Sequence, residues 1–547
     1  MNDLDRALAY HSRTRHHPNR YARALGYMDW DTQPDPFRRY DGAPTLPLAL
    51  CPPGAEPDEP RYEPSFVEGL LPAAPLDARF VARLFRDSLG LSAWKVFGDA
   101  RWSLRVNPSS GNLHPTEGYL ICGPVPGLSE RGGVFHYAPR DHLLEERLAM
   151  RPSWWASLTT GLPEGAVLVG FSAIHWRESW KYGERAFRYC QHDLGHALAA
   201  VTIAAAGMGW SPRLLEGLTD DDLAALLGIA DADGPEAERP DALLALAPRP
   251  FDADGWTFPA GLAEALRAAP FAGVPARLSA DHHPWPIIDE VDAATRRRAP
   301  ARFPAHARPD NPALEIGDSP LPLRRILHQR RSAVDMDGHS ALTLDAFIQL
   351  LLKVVPGQGQ VPFETLPWAP AVDLLLFVHR VADLDPGLYA LVRSDEAALR
   401  GALDPAFTWV TPSGCPEGLP LRRLQTADVR AAAAGVSCGQ AIASDGAFAV
   451  AMVADLRGTM EALGAWMYKR LHWEAGLIGQ VLYLEAEASG ARATGIGCFF
   501  DAPSQRVFGL AGDDRQVLYH FTVGGPVEDP RLQTEPPYGH LSDAGRR

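Results

Sequence analysis

The chain has 547 residues and a mass of 59.5 kDa, more than one ordinary core accommodates, so two to four domains are expected. Apolar residues make up 46% and charged residues 22%, a globular balance, and a net charge of −15 argues against nucleic acid or anionic lipid as a partner. No apolar run approaches the roughly 20 residues that a membrane helix needs, so no membrane association is expected.

The opening stretch, MNDLDRALAYHSRTRHH, lacks the apolar segment of a secretory signal. Six cysteines (Cys51, Cys122, Cys190, Cys415, Cys438, Cys498) are scattered without a CxxC. That usage fits a reducing, cytoplasmic setting rather than a disulfide framework or a zinc site, and no metal is expected.

Residues 1–75 are rich in proline and aromatics and read as an extended N-terminal arm. The apolar spacing over 77–97 predicts a helix. GYLICG (118–123) and AVLVGFSAI (166–174) have strand length, and 184–206 reads as a long helix buried on most sides. The first domain is therefore set at 76–250. Residues 251–315, rich in Pro, Ala and Arg, read as a linker, and 316–547 form the second domain. That domain repeats the order: helix 343–354, strand 372–378, strand 447–454, helix 459–488.

Residues 169–196 align without a gap to 450–477, a displacement of 281. Val169/Val450, Gly183/Gly464 and Gly195/Gly476 are identical, and Phe187/Tyr468, Arg188/Lys469 and Asp193/Glu474 keep their chemistry. Upstream, Tyr137 is matched to Tyr389. The repeat predicts a diverged tandem duplication that folds as an intramolecular pseudo-dimer, copying the self-complementary interface of a homodimer.

Four segments carry candidate chemistry. Arg330, Arg331 and Ser332 offer two guanidinium forks and a hydroxyl suited to a phosphate, although an isolated RRS is more often a solvated basic turn. In PSSGNLHP (108–115), Ser109, Ser110 and Asn112 present short polar groups beside backbone donors, as an ordinary turn also does. In TGIGCFFD (494–501), Gly495 and Gly497 flank Ile496 and allow the backbone to approach a flat ligand; the bland reading is a helix end followed by a strand. Lys181 and Tyr182 stand together at the start of a long helix, although Lys181 by itself is more often an ordinary charged helix start. The chain has no GxGxxG after a strand, no Walker loop and no GxSxG.

Together, PSSGNLHP, HYAPRDHLLEERL and KYGERAFRY…DLGH resemble the nitroreductase superfamily of FMN flavoproteins, in its SagB-type, azoline dehydrogenase-like branch. The resemblance covers most of residues 10–250 and is weaker over 316–532. It implies an α+β fold with FMN at the dimer interface. The arginine motif would grip the phosphate, the glycine loop would lie near flavin N5, and the serine turn would come from the partner.

In this chain the halves are complementary: PSSGN occurs only in the first, RRS and TGIG only in the second, and ETLPWAP (364–370) stands where PSSGN would be. One complete site is expected, from Arg330, Arg331, Ser332, Gly495, Ile496 and Gly497 with Ser109, Ser110 and Asn112, and Arg531 is expected as a second phosphate cation. Val334 departs from the family, which usually has Arg or Lys there.

Lys181 and Tyr182 match the branch's functional pair, implying proton abstraction while hydride passes to flavin N5. A lysine serves as a base when desolvation lowers its pKa. The implied substrate is a heterocyclic or peptide-derived small molecule, and biosynthetic partner proteins accompany the reading. Two alternatives stand: an NAD(P)H-dependent reductase of small electrophiles, and a non-catalytic subunit of a biosynthetic complex.

Overall fold

The computed structural model describes residues 1–55, 59–308, 321–510 and 512–541. Each half is built on an antiparallel sheet. In the first, seven strands run in the spatial order Thr45–Pro47, Leu143–Ala149, Gly133–Ala138, Thr116–Cys122, Val167–Ile174, Glu238–Ala247, Ser211–Leu214. In the second, six run Leu421–Thr426, Gly387–Leu391, Val372–Val378, Phe448–Asp455, Arg515–Gly524, Arg492–Ile496. Without the short edge strand Thr45–Pro47, the two orders correspond strand for strand.

The central strands are largely apolar because both faces are covered. Val167, Val169 and Phe171 enter the main core, while Leu168 between them enters a second cluster. Val450 and Met452 likewise enter the main core, while Ala449, Ala451 and Val453 enter a third.

The duplication holds element by element. Val167–Ile174 and His175–Tyr182 recur as Phe448–Asp455 and Leu456–Leu463, each displaced by 281 residues. The long helices that follow, Ala186–Ala206 and Met467–Ala488, pack on each other. They cross at the aligned glycines. A Cβ on Gly195 would stand 2.3 Å from the Trp473 carbonyl oxygen, and one on Gly476 would stand 2.3 Å from the His192 carbonyl oxygen. These contacts are reciprocal under the repeat, as a two-fold interface requires. The molecule is a tandem α+β pseudo-dimer.

Several local expectations differ. The helix expected over 77–97 is a helix at Ala78–Arg86 and then a strand at Leu91–Phe97, which pairs with Ala100–Arg105. The break falls at Gly90, where a Cβ would meet the Arg86 carbonyl oxygen at 2.8 Å. The helix expected over 459–488 divides at Gly464, whose φ is +117°. The Tyr137/Tyr389 match is out of register: Leu120 pairs with Phe135 as its counterpart Leu376 pairs with Tyr389, so Tyr389 corresponds to Phe135.

The expected extended arm begins with a helix, Asp3–Arg13, capped reciprocally by Asn2 and Asp5 and anchored by buried Tyr10, which donates to the Glu184 carbonyl oxygen at 2.8 Å. Part of the expected linker is also packed: Leu262, Ala263 and Leu266 join a core cluster, and helix Pro286–Ala294 lies against Asp3–Arg13. The expected boundary at 315/316 lies outside the described residues.

Candidate active site

A cavity of about 660 Å³ lies between the two halves. Ser109, Ser110, Asn112 and Tyr182 line it from the first half, and Arg330, Arg331, Ser332 and Gly495–Gly497 line it from the second. Residues more than 200 positions apart therefore share one wall. Lys181 stands beside it: a Cβ on Gly111 would meet Tyr182 Oη at 2.6 Å and Lys181 Nζ at 3.1 Å. With φ at +58° and that close approach, Gly111 is the residue that lets the Lys–Tyr pair close over the serine turn. Arg531 does not reach the cavity. It is exposed, ion-paired to Asp529 at 2.8 Å and stacked over Phe97.

Three cations gather at one end of the cavity. Arg330 is 4% exposed, gives Nη2 to the Arg105 carbonyl oxygen, and leaves Nε and Nη1 without partners. Among the described residues, Arg331 donates only to neutral acceptors, namely the carbonyl oxygens of His328, Arg330 and Ser92 and the Ser92 hydroxyl. Burial lowers the pKa of both guanidiniums, and for Arg331 the neighbouring Arg330 adds to it. Lys95, unforeseen in the sequence because its segment reads as helix, joins them. Burial and then Arg331 lower its ammonium, and it donates to Thr534 Oγ1 at 2.7 Å. Val334 is exposed on the same wall.

Tyr483 ties the two second-half motifs together. Its hydroxyl lies 2.9 Å from Ser332 Oγ and accepts the Gly495 N–H at 3.0 Å. The glycines of the loop are required by packing. A Cβ on Gly495 would stand 2.1 Å from Tyr519 Oη, and one on Gly497 would stand 2.5 Å from Tyr189 Cε1. Tyr189 also donates to the Gly497 carbonyl oxygen at 3.1 Å and packs edge-on against Tyr182.

The serine turn is held from below. Ser109 Oγ donates to Asp193 Oδ2 at 2.6 Å, and Ser110 gives both its N–H and its hydroxyl to Oδ1 at 3.0 Å. Asn112 is engaged internally with the Ser103 carbonyl oxygen and His114. Burial raises the Asp193 carboxyl to about 6, and burial followed by Asp193 raises the Glu178 carboxyl above its ordinary range. The aligned counterpart of Asp193, Glu474, does the same work in the other half, accepting from the N–H groups of Ala371 and Val372 and from Trp368 Nε1. Tyr182 is raised well above the usual phenol value, first by burial and then by Glu178, so its hydroxyl stays protonated and can donate. Lys181 is exposed.

The pseudo-equivalent position is a smaller cavity of about 380 Å³. Leu214 and Glu216 line it where the displacement of 281 puts Gly495 and Gly497, and Glu364, Thr365, Leu366 and Pro367 line it from the segment before Val372–Val378, as the serine turn precedes Thr116–Cys122. Residues 301–306 and Arg308 from the expected linker line it. Arg308 donates to the carbonyl oxygens of Phe363 and Leu366 and to Glu364 Oε2.

No protein-family model matches the chain. A protein assigned as a nitroreductase in Methanocaldococcus jannaschii is 23% identical over 163 residues, 29% of this chain and 78% of its own length. The crystal structure of a protein assigned as a nitroreductase in Anabaena variabilis is similar over 95% of this chain and 99% of its own, with 24% identity and a TM-score of 0.67. The E. coli microcin synthetase complex, with truncated pro-MccB17 bound, aligns over 46% of this chain and 94% of its own, at 18% identity and a TM-score of 0.26. The fold of this chain is thus of nitroreductase type, present as a tandem pair. Among the described residues no helix is long and apolar enough to cross a membrane.

Proposed function

We propose that this chain is an FMN-dependent oxidoreductase of the nitroreductase superfamily, in its SagB-type branch, that dehydrogenates a heterocyclic or peptide-derived substrate. The observation that carries the reading is Arg330. A buried guanidinium with two donors that have no partner and no paired carboxylate among the described residues, beside Arg331 and Lys95, calls for an anion such as a phosphate. The backbone of Gly495–Gly497 lines the cavity beside it.

When bound, FMN would supply the two-electron acceptor, taking hydride at N5. Arg330, Arg331 and Lys95 would hold its phosphate, with Lys95 providing the third cation where Val334 does not. Ser109 and Ser110, fixed by Asp193, would set the floor of the site. Tyr182 would orient substrate through a donated hydrogen bond. Lys181 Nζ would accept the substrate proton once bound substrate excludes water from it. The exposure of Lys181 also favours a second reading, an NAD(P)H-driven reductase of small electrophiles, which needs no substrate base.

The decisive measurement is flavin content of the purified chain. We expect a yellow protein with about one FMN per chain, bound non-covalently, because the second cavity is lined by Leu214 and Glu216 and entered by Arg308. Two flavins per chain would overturn the single-site reading, and failure to retain or bind FMN at all would overturn the cofactor.

A further inference from the structure

We propose that Cys438 and Cys498 form a reversible dithiol–disulfide couple that exchanges with low-molecular-weight disulfides and sets one wall of the cavity. Sixty residues separate them in the chain, yet their sulfurs lie 2.7 Å apart. Both are half-buried, so a small reagent can reach them. Cys498 follows Gly497 directly and lines the cavity.

The two backbone segments are already aligned. Cys438 lies just after the helix Arg430–Val436, in a turn where its φ is +56°. Gln440 Nε2 in that turn donates to the Cys498 carbonyl oxygen at 3.0 Å, and the Phe500 N–H donates to the Val436 carbonyl oxygen at 2.7 Å. The pair is therefore clamped on both sides, and Gln440 itself lines the cavity.

The surroundings divide the roles. The Cys498 thiol is lowered, first by its hydrogen bond with Cys438 and further by His16 and Arg185. His16 Nδ1 accepts the Ala22 N–H at 2.9 Å, which leaves the other ring nitrogen for Cys498. The Cys438 thiol is raised by the same contact. Cys498 is thus the attacking thiolate and Cys438 the resolving thiol. By contrast Cys122 and Cys190 are buried with raised thiols, and burial raises Cys415 too.

The exchange balances in two steps. The Cys498 thiolate attacks one sulfur of a disulfide RSSR and expels RS⁻, giving a mixed disulfide. Cys438 then attacks Cys498 Sγ, its proton passes to solvent or to the departing thiolate, and the second RSH leaves. One RSSR becomes two RSH as two protein thiols become one disulfide. The new bond ties the Gly497–Cys498 wall to the 437–440 turn. This inference does not depend on the proposed flavin.

The test uses the full chain, fully reduced and then equilibrated with graded ratios of oxidised to reduced glutathione, acid-quenched, alkylated and mapped by mass spectrometry. We expect two of the six cysteines to lose alkylation together, as a Cys438–Cys498 cross-link that a dithiol reverses, with no glutathione retained. Cys438→Ser should instead trap glutathione on Cys498, and Cys498→Ser should leave Cys438 unmodified. Amide exchange at 437–440 and 497–500 should slow in the oxidised form. Independent oxidation of the two cysteines, or a stable glutathione adduct in the unsubstituted chain, would overturn the couple. Unchanged amide exchange would overturn its effect on the wall.

Discussion

Arg330→Met should move apo stability and cofactor affinity in opposite directions. The guanidinium is 4% exposed, and its Nε and Nη1 have lost water without gaining a partner. Replacing a poorly compensated buried charge by an apolar side chain of similar volume is often neutral or stabilising, by about 1–4 kcal/mol. Two interactions oppose the gain: the Nη2 bond to the Arg105 carbonyl oxygen and the stacking of Arg330 over Tyr483 at 4.9 Å. Each is worth about 1 kcal/mol. The apo denaturation midpoint should therefore hold or rise.

Toward an anion the balance reverses. Two charge-assisted hydrogen bonds at roughly 1.5–3 kcal/mol each would be lost, about 3–6 kcal/mol in sum, or some 10²–10⁴-fold in affinity. Flavin fluorescence titration of the apoprotein gives the affinity, and chemical denaturation gives the midpoint. An apo midpoint that falls clearly while FMN affinity stays within about threefold would refute the reasoning, because Arg330 would then be a structural cation with a partner the geometry does not reveal.

Three further outcomes are expected. Gly195→Ala should destabilise, by about 1–3 kcal/mol after its helix-propensity gain, because the new methyl meets backbone that cannot yield; Gly401→Ala, in a helix with nothing within 4 Å of the added Cβ, should stabilise by about 0.5–1 kcal/mol. Equal signs in denaturation midpoints would refute the close crossing. Lys181→Ala should leave flavin content intact while anaerobic flavin reduction by the true substrate slows about 10²–10⁴-fold; unchanged reduction in both Lys181→Ala and Tyr182→Phe would favour the reductase reading. Burial raises the folded Asp193 carboxyl to about 6, so the folded chain holds the extra proton and stability falls as pH rises from about 4 to about 6. Asp193→Asn should flatten that part of the profile by up to about 3 kcal/mol; an unchanged profile would show that Asp193 is ionised throughout.

What could be read from the sequence follows from which interactions are local. The strand Val372–Val378 is legible because burial on both faces leaves it apolar at every position but Asp373. The repeat is legible because Gly195 and Gly476 answer to one contact, the crossing of two backbones, which leaves no alternative residue. Leu91–Phe97 is misread because LFRDSLGLSAW keeps helical spacing across Gly90, and only pairing with Ala100–Arg105 makes its end a strand. Lys95 is lost from the candidate site with it. The N-terminal helix was legible in principle, since Asn2 and Asp5 form a capping box around Leu4, Ala7 and Leu8; the proline-rich residues that follow mask it. Arg531 lies near the right place in the chain, but a neighbouring carboxylate, Asp529, holds it at the surface. The cysteine pair is invisible to spacing because sixty residues separate partners that only the fold brings together.

The two halves also show why symmetry survives at the crossing and fails at the cavities. In a homodimer, any substitution at an interface site occurs twice, so both sites gain or lose it together. In a fused chain each copy changes alone. Gly195 with Gly476, and Asp193 with Glu474, serve the packing of both halves: the glycines let the helices touch, and the carboxylates hold the loops that enter the central strands. Loss of either member would strain the whole interface, so both persist in kind. The cavity walls carry no such shared duty. A carboxylate can stand at Glu216, where the other copy has Gly497, because Arg470 and Arg297 neutralise it locally. Arg308 can then bond across the position of the lost serine turn, and the intervening segment packs as part of the fold. Residues 301–308 therefore do more than connect the halves: they stabilise one cavity in a form that a homodimer could adopt only by altering the other cavity as well.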